Sequence, residues 1–258
     1  MKHKKACPFC SKSPPDIHFT KEHILRNKFN SLFPETPRSI FWENKTLNSN
    51  GGFDIKPVTI PHGPFDSTIN SVCNECNSGW MNKLENQAES SLVELFYARR
   101  KFPRTKNLGT LAFWAAKTAA VYALKHRDNL PGFPIEHYSK MRAELKPPPL
   151  TYIWYCQTTF NQETHFRYFR GGLPGEPDSS FHLTTINIGH ALFSIIGSST
   201  HEMNKELTPE IKLRDKLLGR IWPEGAYRSR PIVTVHDKHE LTEIGFIMSP
   251  HYSIKNTS

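Results

Sequence analysis

Cys7-Pro-Phe-Cys10 and Cys73-Asn-Glu-Cys76 stand 62 residues apart in this 258-residue chain, and no other feature narrows its fold as much. Each knuckle can place two thiolates on one tetrahedral ion, and four-thiolate sites are structural zinc sites closed to water and substrate. Residues 7 to 76 are dense in Pro, Asn and Gly and poor in long periodic segments, so they read as loop and short strand in need of a centre. A Zn²⁺ ion supplies one. It would tie the start of the chain to the start of the helix that follows Cys76. Redox cysteines are the competing reading. The fifth cysteine, Cys156, reads as a small buried hydrophobe on a strand.

From Ser78 to Tyr97 the apolar residues Trp80, Leu84, Ala88, Leu92 and Phe96 recur every four positions, which predicts an amphipathic helix with Asn77 or Ser78 as its N-cap. Arg99-Arg100-Lys101-Phe102-Pro103-Arg104 ends it with positive charge and a proline. We place a domain boundary there, giving a module over residues 1–100 and a second domain over 101–258. A second helix over 108–124 is apolar nearly all round and is expected to be central, with Lys117 snorkelling out of it. A helix over 135–145 precedes Pro147-Pro148-Pro149. Strands are expected at 150–156, 165–170, 181–188, 190–196 and 232–235, with a helix at 209–218 between the last two. The fold class is therefore α+β, the second domain mixing helices and sheet. The strand His165-Phe-Arg-Tyr-Phe-Arg170 reads as an ordinary half-packed strand, although Phe166, Tyr168 and Arg170 on one face could also stack bases.

A formal net charge of +9 favours a polyanionic partner. Residues 1–100 hold 13 Lys and Arg against 10 Asp and Glu, and residues 101–258 hold 20 against 14. The second domain is thus the more basic surface, and DNA is the expected partner, with RNA an alternative. The basic start runs into Cys and Pro instead of an apolar stretch, and no apolar run reaches the length of a membrane span, so a cytoplasmic protein without a membrane partner is expected. A homodimer or a protein partner is compatible with the chain.

The order Cys-x-x-Cys, then Glu22-His23-Ile24, then Cys76-Asn77-Ser-Gly79-Trp80-Met81-Asn-Lys-Leu84-Glu85 resembles the zinc-stapled HNH (His-Me finger) endonucleases. It is most similar to a bacterial and phage subgroup whose helix reads Cys-Asn-x-Gly-Trp-Met-x-x-Leu-Glu. The likeness covers residues 7 to about 97 and extends faintly to Trp114-Ala-Ala-Lys117. It implies a ββα-metal nuclease finger held by structural zinc on Cys7, Cys10, Cys73 and Cys76. His23 would act as general base, since an imidazole titrates near neutrality. Glu22 and Asn77 would hold a catalytic Mg²⁺ or Mn²⁺, whose hard-oxygen preference they suit. Met81 stands where some relatives carry a further ligand, so Asn82 beside it is the expected third. The family's middle Asn orients the base; strict counting from Asn77 lands on Thr68, and Asn70, two residues nearer, takes the role here. The implied activity is hydrolysis of DNA phosphodiesters, often in phage or mobile-element conflict. The competing readings are a zinc module that only binds nucleic acid and a subunit active only with a partner.

Overall fold

The computed structural model describes residues 5–34, 40–47, 53–60, 63–126, 132–159, 165–173, 175, 176, 178–223 and 234. In the first hundred residues, strand β1 (Phe19–His23) pairs antiparallel with β4 (Thr68–Cys73), and the β2 (Ile40–Leu47) and β3 (Phe53–Ile60) hairpin lies between them in sequence. The chain turns helical immediately after β4. A short turn α1 (Asn74–Cys76) runs into a π-helical turn (Asn77–Met81) and then α2 (Asn82–Phe96). Gly79 breaks the helical geometry at φ −86°, ψ −109°, and a π turn with a Ser-Gly pair is a recognised origin of such a kink.

The expected N-cap is therefore displaced. Helical structure begins three residues before Asn77, and Ser78 Oγ donates to Asn74 O at 2.7 Å instead of capping. The apolar stripe holds: Leu84, Ala88, Leu92 and Phe96 are all buried on α2.

Helix α3 (Leu108–Ala123) is the centre of the molecule, with Leu111 through Ala123 buried without interruption. Small residues (Ala112, Ala115, Ala116, Ala119, Ala120) let neighbours approach closely, and Trp114 meets Phe193 edge-on at 5.5 Å. After α4 (Ile135–Glu144), strands β5 (Thr151–Gln157), β6 (His165–Gly171), β7 (Phe181–Ile188), β8 (Ala191–Ser198) and β9 (Gly219–Trp222) build one antiparallel sheet in the order β6-β7-β8-β5-β9. Both β7 and β8 are buried at every position. Helices α5 (His201–Glu206) and α6 (Thr208–Leu217) bring Met203, Leu207 and Ile211 to a second apolar cluster that contains Trp154 and Leu183. The chain is thus mixed α+β. The strand expected at 232–235 lies, except for Thr234, outside the described residues.

The main core passes through residue 100 without a gap: one buried cluster runs from Cys7 and Phe9 through Phe96 and Trp114 to Phe193 and Ile221. Phe9 of the first knuckle contacts Trp80 at 5.5 Å and Tyr138 of α4 at 5.2 Å, and Trp80 stacks on Phe113 at 5.4 Å. Of the β6 aromatics, Phe166 and Tyr168 pack against the same core and Phe169 against the second cluster. Phe166 stacks on Tyr122 at 4.6 Å and Tyr168 on His126 at 4.9 Å, so this face packs on α3.

Candidate metal centre and active site

Cys73 closes β4 and Cys76 ends α1, and both meet the N-terminal knuckle. The four Sγ atoms of Cys7, Cys10, Cys73 and Cys76 lie within 4.8 Å of one another, and Cys10 Sγ is 3.6 Å from Cys73 Sγ. Metal–sulfur bonds of about 2.3 Å in a tetrahedron set sulfur–sulfur edges of about 3.8 Å. The cluster has the size for one such ion. Its first knuckle is closed by Ser11 N donating to Cys7 O at 2.8 Å and Cys7 N donating to Lys12 O at 2.9 Å, with Ser11 in the left-handed region at φ 60°.

The Cys7 thiol is brought down to about 4, chiefly by the Cys76 thiol that donates to it, against burial and with help from the backbone amides of Cys73, Cys10 and Phe9. Burial pushes Cys73 up to about 11, and the bond to Cys7 followed by burial pushes Cys76 up as well. A divalent cation suits such a thiol set, because coordination deprotonates its ligands together. The four cysteines could therefore hold a metal ion such as zinc.

The ladder between β1 and β4 carries the acid-His pair onto this anchor. His23 sits opposite Thr68 and Glu22 opposite Ile69, and a bulge between Thr20 and Glu22 offsets the register before Thr20 meets Val72. Ile24 N continues the pairing by donating to Ser67 O at 3.0 Å. Asn77 leans back onto the strand: its Nδ2 donates to Thr20 Oγ1 at 3.0 Å and to Lys21 O at 3.3 Å. Residues 56 and 57 apart in sequence thus meet at the start of the helix. His23 and Thr68 are half-buried.

Thr68, not Asn70, is the residue directly across from His23. Asn70 is exposed, and its carbonyl accepts from Lys5 Nζ. Asn82 is also exposed, on the first turn of α2 past the π turn. Its backbone N–H donates to Asn77 O and Gly79 O, which ties it to the π turn.

Glu22 has partners that its sequence context did not announce. Lys117 Nζ donates to Glu22 Oε1 at 2.9 Å and to Glu85 Oε1 at 2.6 Å. Lys117 does not snorkel: it is 0% exposed, and Glu22 is 4% exposed. Burial disfavours the Lys117 ammonium, yet Glu22 and Glu85 outweigh it and hold the ammonium charged. Burial raises the Glu22 carboxyl in spite of Lys117, with Glu85 adding to the shift. Glu85 therefore pairs across the core. The available signal was that Lys117 is the one charged residue within α3. Two residues past the end of the helix, Lys125 Nζ donates to Ser67 Oγ at 2.6 Å, and burial lowers its pKa. The helix and the residues just after it thus hold β1 and the residue that precedes β4.

Glu22 spends one carboxylate oxygen on Lys117, and the Asn77 amide bonds the strand through nitrogen. Compared with protein-family models, curated proteins and solved structures, the chain finds no match. No helix among the described residues is long and apolar enough to cross a membrane.

Proposed function

We propose that the first hundred residues form an HNH-type nuclease module that hydrolyses DNA phosphodiesters, with zinc on the four cysteines and His23 as general base. The observation that carries this reading is the junction of β1 with the helix start, where the Asn77 amide bonds Thr20 and Lys21 beside Glu22 and His23. The ladder that carries Glu22 and His23 has its far end at Cys73, a member of the thiolate cluster.

In this reading His23 accepts the proton of the attacking water, which requires an imidazole neutral at working pH and open enough to meet substrate. Its half-buried place at the end of β1 supports that task. Thr68 across the ladder and Asn70 two residues on are the side chains from which an orienting partner would come. Glu22 and Asn77, with Asn82 as a third, would hold Mg²⁺ or Mn²⁺, and a bound ion would supply Lewis-acid stabilisation of phosphate charge. The more basic part after residue 100 would position the duplex through phosphate contacts.

A plasmid-nicking assay with Mg²⁺, Mn²⁺ and chelator tests the proposal. His23→Ala should abolish metal-dependent nicking while zinc content and DNA binding persist. Cutting by His23→Ala at the wild-type rate would refute it.

A further inference from the structure

We propose that Lys117 and Glu85 are positioning residues for Glu22, forming a buried clamp that holds the carboxylate in the orientation a divalent ion requires. This rests on the assignment of Glu22 as a metal ligand in the proposed nuclease site. Three elements converge on the clamp: β1 supplies Glu22, α2 supplies Glu85 and α3 supplies Lys117. Lys117 takes one oxygen from each carboxylate, at 2.9 Å and 2.6 Å.

Packing does not explain the arrangement. Removing an ammonium and its counter-ions from water is costly, and apolar replacements of similar volume often stabilise a core as well or better. Apart from Thr118, the neighbours of Lys117 along α3 are apolar and fully buried. The geometry explains more: Lys117 engages Oε1 of Glu22 and Oε1 of Glu85, so one buried ammonium fixes both carboxylates. An orienting partner also removes the rotational freedom that an isolated Glu would lose on binding an ion.

The test is Mn²⁺ binding by the zinc-loaded full chain, followed by electron paramagnetic resonance of the free ion, beside nicking activity, zinc content and thermal melting. Glu22→Gln should lose the Mn²⁺ site. Glu85→Gln and Lys117→Met should weaken Mn²⁺ binding by roughly 10- to 100-fold, the usual effect of removing a partner that orients a ligand, with zinc content unchanged. Should Lys117→Met fail to melt cooperatively, Glu85→Gln decides alone, because it strands no buried charge. Wild-type Mn²⁺ affinity in Glu85→Gln, or in Glu22→Gln, would overturn the assignment. If the wild type never cuts DNA but the Mn²⁺ affinities still fall in this order, the nuclease reading fails and the clamp stands.

Discussion

Lys117 Nζ lies 2.9 Å from Glu22 Oε1, across 95 residues of sequence. The contact joins the buried helix α3 to the strand that carries the acid-His pair. It couples the geometry of a candidate site to the packing of the whole core, so stability and site integrity are expected to fall together when α3 is disturbed.

Trp114→Ala should therefore reach beyond α3. Removing a ring that is 1% exposed and packed against Phe193 should cost about 3–5 kcal/mol. In thermal melts, loss of helical circular dichroism and release of zinc should coincide and shift down together. Two separated transitions would show that the parts before and after residue 100 unfold independently.

The four cysteines should bind one zinc ion per chain, measured by elemental analysis. Cys76→Ser should lose it, and a strong chelator should lower the melting temperature of the wild type, because the energy of binding such an ion is folding energy. Zinc retained at full stoichiometry by Cys76→Ser would place the ion elsewhere.

Acid should destabilise the fold through two buried imidazoles. Burial, with a small contribution from Lys140, lowers His137 to about 4, and burial, with His137 nearby, lowers His182 to about 3. The unfolded chain takes up these protons below about pH 6.5 while the folded chain does not. Stability is thus intact above pH 6.5 and falls steadily as the pH drops toward the folded values. For His137 alone the loss approaches about 3 kcal/mol by pH 4. Melting temperatures between pH 8 and pH 4 should show this slope, and His137→Phe should flatten it by about one proton. An unchanged slope in that variant would remove His137 as a cause.

Cys156 should be inert while the protein is folded. It is fully buried on β5, and burial pushes its thiol up to about 12, so at pH 8 only about one molecule in ten thousand carries the thiolate. A thiol reagent should label it only after denaturation. Rapid native labelling, located by peptide mass, would contradict its burial.

What the sequence made legible was local or repeated. Two identical spacings announced the thiolate cluster, and apolar residues at every fourth position announced α2. An almost unbroken apolar run announced α3 as central. Each of these signals lies within one element or in a ligand spacing, so it can be read without knowing what the element touches. The α+β class followed from the same patterns, and β7 was placed over Phe181–Ile188 from its β-branched and apolar run alone.

What only tertiary structure decided were the partners. Lys117 reads from the sequence as a snorkelling lysine and Glu85 as one residue of the helix motif; the crossing of α2, α3 and β1 brings Lys117 onto both Glu22 and Glu85. A bulge in the ladder set Thr68 across from His23 and left Asn70 exposed, because register depends on how two strands pair and not on either strand's composition. The face of β6 that could have stacked bases is covered by Tyr122 and His126 of the α3 region. Residue types and spacings are written along the chain, but which charge meets which is settled by burial, where a long-range contact must repay the loss of water around both groups.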